Sequence, residues 1–151
     1  MLNVEDFTEK LDSWYPKLKP IFESQEMYNL YQELKEIGKR EKITPKAADI
    51  WNCFKYCPEN KLNVIIIGMD SYPGMYPNKQ FHADGIAFSN SYSPDKKIQP
   101  SLEKIYDALD ETYGQKHYRD NDLKYLANQG VLLANRAFAC KLMKPGSLMG
   151  K

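Results

Sequence analysis

A chain of 151 residues with 42% hydrophobic and 13% aromatic residues can build one packed core, which excludes a disordered protein. The 21 basic and 20 acidic residues leave a net charge of +1, which neither indicates nor excludes a nucleic-acid partner. No apolar run is long enough to cross a bilayer, and the acidic start MLNVEDFTEK is not typical of a secretion signal. We therefore predict an intracellular protein that does not contact a membrane.

The first sixty residues are predicted to be helical, because apolar residues return every three or four positions. A third helix is predicted from Thr44-Pro45 to Pro58, since a hydroxyl can cap a helix and proline fits its first turn. We interpret the chain as a single domain, with a helical N-terminal extension over residues 1–43 and a shortened core over residues 44–151.

The three cysteines are too few to predict a disulfide framework. Cys53 and Cys57 lie one helical turn apart, and we expect them to be reduced and to fill the core. A metal site is not predicted, because only Cys140 and two histidines distant in sequence could add ligands.

Two apolar strands follow the helical region. Asn63 to Gly68 is a short β-branched run of the kind found in parallel strands covered by helices on both sides, and Val131 to Asn135 is the second. A loop over 71–84, a helix that begins at Pro100 and a short helix over 122–128 lie between them. The order predicts an α/β fold, a three-layer sandwich with a short parallel central sheet.

The carboxyl ends of such strands are where ligands bind in α/β sheets. Asp70 follows the first strand and Asn135 ends the second. An aspartate there can activate water, stabilise a cation, bind a metal or cap a turn. Tyr72 and Phe88 add an aromatic wall and a stacking face, and the Asn135 amide can read the Watson–Crick edge of a base. Together these groups favour a site for a planar base.

From about Thr44 to Ala139 the chain resembles the family 1 uracil-DNA glycosylases. The water-activating motif of that family, GQDPYHG, corresponds to GMDSYPG at residues 68–74. Three further blocks follow in the family's order: ADGIAFS at 83–89, PSLEKIY at 100–106 and NQGVLLAN at 128–135. Four ordered blocks over this length make the resemblance specific.

The resemblance implies a role for each of these residues. Asp70 orients the attacking water and stabilises the cationic sugar that forms as the glycosidic bond breaks. Tyr72 blocks the position of a thymine methyl group, Phe88 stacks on the flipped uracil, and the Asn135 amide accepts from N3 and donates to O4. Together these roles imply hydrolysis of the N-glycosidic bond of uracil in DNA, which is base excision repair without a metal or cofactor.

The same resemblance implies binding roles for three more residues. Met69 is placed in the substrate-binding motif, and Pro100-Ser101 presses on the backbone of the damaged strand, which helps to unstack the base. Met69, Ser71 and Pro73 replace the glutamine, proline and histidine of the family motif. We expect these replacements to tune the site without abolishing it.

A larger departure lies after Asn135. Family members continue with two further strands, which carry a Gly-Ser turn and a His-Pro-Ser segment, whereas this sequence ends at Lys151. Neither His82 nor His117 matches the missing histidine. We therefore expect the fold to lack its last two strands, and the chain to be a fragment or to complete its sheet with a partner protein, a second copy or unfamiliar packing.

The sequence raises two other functional hypotheses. A catalytically impaired protein of this fold could act as a DNA-binding or replication-complex module, because the absent strands carry part of the family's machinery. An unrelated nucleotide-binding α/β domain is disfavoured, since no GxGxxG or phosphate loop is present. The sequence does not decide between the cytoplasm, the nucleus and a cell infected by a virus.

Overall fold

The structure is a computed structural model that describes residues 4–150. Its helices are α1 (Val4–Leu11), α2 (Tyr15–Phe22), α3 (Gln25–Arg40), α4 (Asn52–Tyr56), α5 (Pro100–Tyr113) and α6 (Lys124–Ala127), with 3-10 turns at Asp12–Trp14 and Glu59–Lys61. Its strands are β1 (Ile43–Thr44), β2 (Val64–Asp70), β3 (Val131–Ala137) and β4 (Cys140–Lys141).

The two long strands form a parallel pair, as the sequence predicts. Val64 lies opposite Val131, Gly68 lies opposite Asn135, and the register continues to the carboxyl end of both strands. The two short strands β1 and β4 form a separate antiparallel pair. The carboxyl ends of β2 and β3 therefore meet at one edge of the sheet, where the candidate residues lie.

Helices pack on both faces of the sheet at β3, which confirms the predicted three-layer arrangement. On one side the aromatic residues of the first helices pack with α4 and with Leu132 and Ala134 of β3. On the other side Leu102 and Tyr106 of α5 pack with Leu133 of β3. Burying a leucine side chain contributes about 1.5–3 kcal/mol, so the strand β3 is held firmly by both layers.

The predicted helix over 44–58 is wrong in its first half. Thr44 is a strand residue that pairs with Cys140, and its hydroxyl donates a hydrogen bond to the carbonyl of Tyr72 at 3.2 Å. The group that we expected to cap a helix therefore holds the loop that follows β2. The helix α4 begins only at Asn52.

The prediction that β2 is covered on both faces is also wrong. Ile65, Ile67 and Met69 are 55%, 59% and 65% exposed, whereas Ile66 and Gly68, on the opposite face, are turned towards the core. Within residues 4–150, β3 is the only strand that pairs with β2, and the first helices pack over β3 rather than over β2. One face of β2 is therefore apolar and open.

The three cysteines are buried free thiols, which confirms the prediction made for Cys53 and Cys57. Burial raises the pKa of Cys53 and of Cys140 to about 12, so both thiols stay protonated and unreactive at physiological pH. Cys57 also serves the packing of the first helices, because its carbonyl accepts a hydrogen bond from Nε1 of Trp14 at 2.6 Å. Over residues 4–150, no helix is both long and apolar enough to cross a bilayer.

Candidate active site

The sheet brings Asp70 and Asn135 to the same edge. Asp70 is the last residue of β2, while Asn135 lies inside β3, two residues before its end, and not at the end as predicted. Alternate residues of a strand point to the same face, so Gly68 and Asp70 share one face and lie about 7 Å apart along the strand. Because Asn135 is the partner of Gly68, its side chain stands beside the face that carries the carboxylate.

Gly68 leaves the space in which two of the candidate side chains meet. A Cβ added at Gly68 would collide with Oδ1 of Asn135 and would lie 3.3 Å from Cζ of Phe88. The amide oxygen of Asn135 and the ring edge of Phe88 are therefore neighbours above the glycine. An aromatic ring next to a bidentate amide is the arrangement that can hold a planar heterocycle.

Tyr72 is fixed next to Phe88. The hydroxyl of Tyr72 donates a hydrogen bond to the backbone carbonyl of Phe88 at 3.2 Å. Burial, with a smaller contribution from the negative charge of Asp84, raises the pKa of Tyr72 to about 12. The phenol is therefore neutral at physiological pH and keeps the proton that it donates.

Phe88 itself has an unusual backbone. Its φ of +66° lies in the left-handed region, which is rare for a bulky residue and persists only where the surroundings hold it. The loop that contains it is closed by the carboxylate of Asp84, which accepts hydrogen bonds from the amides of Ile86 and Ser91 and from the hydroxyl of Ser89. Sequence reasoning missed Asp84, although an aspartate before glycine with serines downstream is a typical loop-closing pattern.

The carboxylate of Asp70 is held from the C-terminal side. One of its oxygens, Oδ2, accepts a hydrogen bond from the backbone amide of Gly146. The adjacent Ser71 donates from its hydroxyl to the carbonyl of Phe138 at 2.8 Å and accepts at its own carbonyl from the thiol of Cys140 at 3.2 Å. The segment after β3 thus fixes the end of β2, which sequence analysis of residues 143–151 did not predict.

The remaining candidate residues stand apart from this group. Met69 points to the opposite, open face of β2, so any role in binding would use its backbone. Pro100 and Ser101 are exposed at the start of α5, and Leu102 anchors that helix start in the core. Over residues 4–150, no hydrogen bond or ring contact joins these three candidates to Asp70, Phe88 or Asn135.

Neither histidine lies in a cluster that could bind a metal. His82 packs against the ring of Tyr76, with 4.1 Å between the ring centroids, and burial lowers its pKa. Nδ1 of His117 lies 3.0 Å from Oδ1 of Asp110. The part of the chain that the structure describes holds no group of three metal-ligating side chains.

A cavity of about 770 Å³ lies elsewhere in the molecule. It separates α3 from the body of the domain and is lined by mainly apolar side chains, among them Met27, Leu30, Leu34, Trp51 and Phe138. None of Asp70, Tyr72, Phe88 and Asn135 lines it. The candidate site therefore lies outside this cavity, at the edge of the sheet.

The chain has an α/β three-layer fold in which a carboxylate, an aromatic ring and a side-chain amide lie at one edge of the parallel pair. Its sequence is 36% identical to the uracil-DNA glycosylase of Bacillus mycoides over 140 residues, which are 93% of this chain and 59% of that protein. It is 37% identical to the uracil-DNA glycosylase of Limosilactobacillus reuteri over 124 residues, which are 82% of this chain and 51% of the relative. The chain belongs to the uracil-DNA glycosylase family, and it spans about half the length of the curated relatives it matches.

Solved structures of uracil-DNA glycosylases share the fold of this chain. The crystal structure of mimivirus uracil-DNA glycosylase superposes with a TM-score of 0.79 and 25% identity over 95% of this chain and 51% of the other. A variant of the mimivirus protein has been solved in complex with UGI. The structure from Nitratifractor salsuginis, at 21% identity and a TM-score of 0.55, shares the fold. No family model matches the chain.

Proposed function

We propose that this chain takes part in the hydrolysis of the N-glycosidic bond of uracil in DNA, a step of base excision repair. The observation that supports the proposal best is that the Phe88 ring and the Asn135 amide both lie next to Gly68, on the face of β2 that also carries Asp70. The relatives that match most of the chain are named uracil-DNA glycosylases. By the resemblance to the family, the proposed reaction uses water as the second reactant and no metal or cofactor.

The proposed recognition step uses a base turned out of the duplex, which costs a few kcal/mol of stacking and pairing. The uracil ring stacks on Phe88, while the Asn135 amide accepts from N3 and donates to O4. Cytosine has a bare N3 and an amino group at C4, so an Asn135 amide in this orientation loses both hydrogen bonds. Leaving such groups unpaired in a buried site costs about 1–3 kcal/mol each, which gives the discrimination.

Tyr72 supplies the second part of the proposed specificity. Its ring is held against the Phe88 backbone by the hydroxyl bond, and it is neutral at physiological pH. A neutral, fixed ring acts as a wall and not as a proton donor to the substrate. It would occupy the place of the methyl group by which thymine differs from uracil.

The chemical step falls to Asp70. As the bond between C1′ and N1 breaks, positive charge develops on the sugar, and a fixed carboxylate stabilises it. The same carboxylate orients a water molecule, whose oxygen forms the new bond to C1′. Uracil leaves with the electron pair of the C1′–N1 bond, and the proton that the water loses ends on the released base. Asp70 has one oxygen committed to the Gly146 amide, which leaves the other free for this water.

DNA backbone contacts are proposed for the start of α5. Pro100 and Ser101 are exposed in the first turn of a 14-residue helix, where free backbone amides and the helix dipole favour a phosphate. Met69 would contribute through its backbone at the end of β2. These contacts would position the strand without reading its sequence.

The proposal also covers the number of domains in the chain and the molecules that it binds. We infer one domain, because residues of the first helices share a core with α4 and β3. The open face of β2 supports a partner protein or a second copy that completes the sheet. The natural substrate would be DNA that contains uracil, inside a cell, whether in its cytoplasm, its nucleus or after viral infection.

The proposal is tested by measuring uracil release from a single-stranded oligonucleotide that contains uracil. We expect release by the wild-type chain and at least a hundredfold loss in Asp70→Asn, since removal of one transition-state group costs on the order of 10²–10³. Asp95→Asn, in an exposed loop, is the matched control. Equal rates for wild type and Asp70→Asn would reject the proposal. Salt-dependent DNA binding without release would favour a binding module instead.

A further inference from the structure

The carboxylate of Asp84 is buried without a direct ion pair among the described residues. Asp84 is 2% exposed, and among the described residues Lys124 interacts with it electrostatically without forming an ion pair and bonds to Asp122 instead. Its oxygens instead accept from the amide of Ile86 at 3.1 Å, the amide of Ser91 at 2.9 Å and the hydroxyl of Ser89 at 2.6 Å. A buried charge is costly and persists where hydrogen bonds replace its hydration, so this one calls for an explanation.

The three donors bracket Phe88 along the chain. Ile86 lies two residues before Phe88, while Ser89 and Ser91 lie one and three residues after it. Oδ1 takes the donor before the ring and Oδ2 takes the donors after it. The carboxylate therefore closes the turn in which Phe88 has its positive φ.

We propose that Asp84 is the positioning residue for Phe88, and that it holds this ring at the place where it stacks on the flipped uracil. The inference rests on the proposed function, because the stacking role of Phe88 belongs to it. Asp84 lies behind the loop and touches no substrate in this scheme. Its effect is transmitted through the backbone of residues 86–91.

A second set of hydrogen bonds extends the same frame to the helix α6. The hydroxyl of Ser89, which donates to Asp84, accepts from the amide of Leu123 at 3.2 Å. The side-chain amide of Asn121 donates to the backbone carbonyl of Asn90 at 2.9 Å. In return, the backbone amide of Asn90 donates to the backbone carbonyl of Asn121 at 2.9 Å. The loop that Asp84 closes is thus tied to the core and does not move independently of it.

The pattern of donors requires a carboxylate rather than an amide. An asparagine at this position has the same shape but only one acceptor oxygen. If that oxygen faces Ile86, its NH₂ group faces the amide of Ser91, and the reverse orientation leaves the Ile86 amide without an acceptor. In either orientation, a hydrogen bond on one side of Phe88 is lost, from the amide of Ile86 or from the amide of Ser91. We therefore expect Asp84→Asn to release the ring without changing the volume of the core.

The experiment compares Asp84→Asn with Asp95→Asn. Asp95 makes a similar set of bonds, from the hydroxyl of Ser93 at 2.6 Å and the amide of Lys97 at 3.2 Å, but it is exposed and its donors follow residues 86–91 instead of bracketing Phe88. Ring-labelled phenylalanine gives NMR signals for each of the six phenylalanines, and Phe88→Leu identifies those of Phe88. Inhibition by free uracil and the rate of uracil release are measured on the same samples.

We expect Asp84→Asn to shift or broaden the ring signals of Phe88 while those of the other phenylalanines stay in place. The inhibition constant of free uracil should rise at least tenfold, and kcat/KM for uracil release should fall on the order of 10²-fold, the loss expected for a displaced binding group. Asp95→Asn should change none of these.

Unchanged Phe88 signals and uracil inhibition in a folded Asp84→Asn variant would overturn the inference, even if its melting temperature falls. Should Asp84→Asn fail to fold, Ser89→Ala removes one arm of the bracket and decides by the same signals, with an unchanged ring again counting against Asp84. A wild-type chain that neither binds nor releases uracil rejects the proposed function. In that case the ring signals still show whether Asp84 holds Phe88.

Discussion

Gly68 of β2 lies directly opposite Asn135 of β3, and the side chain that Gly68 lacks would stand where the Asn135 amide oxygen lies. The glycine is therefore a requirement of the site and not of the strand. A β-strand interior normally disfavours glycine, which loses entropy on folding and has no side chain to pack. Its presence here makes room for a polar group at a sheet edge.

Gly68→Ala should uncouple activity from stability. The added Cβ meets the far end of a flexible amide, which can turn aside, so we expect the melting temperature to change little. The displaced amide should lower uracil release on the order of 10²-fold. Gly38→Ala in α3 is the control, since its new Cβ lies 3.8 Å from Ile43 Cδ1 and alanine gains about 1 kcal/mol over glycine in a helix. Full activity in Gly68→Ala would contradict the placement of Asn135.

Tyr72→Ala should admit thymine. Discrimination against one extra methyl group in a packed site amounts to about 1–3 kcal/mol of transition-state free energy. Removal of the Tyr72 ring should therefore lower the preference for uracil over thymine roughly 10–200-fold. Tyr72→Phe is the control, because it keeps the ring and removes only the hydroxyl bond to Phe88. The measurement is the ratio of base release from two oligonucleotides that differ in one methyl group. An unchanged ratio in Tyr72→Ala would remove Tyr72 from the specificity scheme.

Glu41 should make stability depend on pH in the acidic range. Lys141 and Lys144 donate to its two oxygens at 2.7 Å and 2.6 Å, and these bonds lower the pKa of Glu41 from 4.5 to about 2. The pKa is lower in the folded than in the unfolded chain, so the stabilisation is complete above pH 4.5 and disappears as the pH falls towards 2.

Thermal melts of wild type and Glu41→Gln should therefore differ at pH 7 and converge near pH 2. Glu36→Gln, which breaks an exposed pair with Lys39 within α3, is the control for loss of one negative charge. A difference between wild type and Glu41→Gln that stays constant down to pH 2 would show that the two lysines do not act on Glu41 in solution. The pair matters because it ties the segment after β3, which also holds Asp70, to the end of α3.

The sequence predicts the parallel pair and its functional edge well, because both depend on local patterns. Two β-branched runs separated by helices define the pair, and the residues at their carboxyl ends then follow from the geometry of parallel strands. Asp70 and Asn135 could be placed in this way without coordinates. The α5 helix, with proline in its first turn, could also be placed.

The sequence does not reveal contacts between distant segments. Thr44 bonds to a carbonyl 28 residues away, so its local pattern indicated a helix cap instead. The amide of Gly146 reaches Asp70 across 76 residues, and no periodicity predicts that contact. The exposure of β2 was missed for a related reason, since an apolar run indicates that a strand needs cover but not which residues supply it.

The alternation of faces in β2 gives the last prediction. Ile67 is 59% exposed on the open face, whereas its neighbour Ile66 packs into the core beside α5. Ile67→Lys should stay within about 0.5 kcal/mol of wild type, as surface substitutions do, while Ile66→Lys should unfold the domain because it buries an unpaired charge. Thermal melts of both variants measure this difference.

The same variant tests whether the open face binds protein. An apolar strand with a free edge tends to associate, and lysine on such a strand blocks pairing. In sedimentation velocity we expect concentration-dependent association of the wild-type chain and a lower-mass species for Ile67→Lys. A wild-type chain that stays monomeric at high concentration would exclude a second copy as the cover of this face. Loss of folding in Ile67→Lys would instead mean that β2 is buried in solution, against the exposure described above.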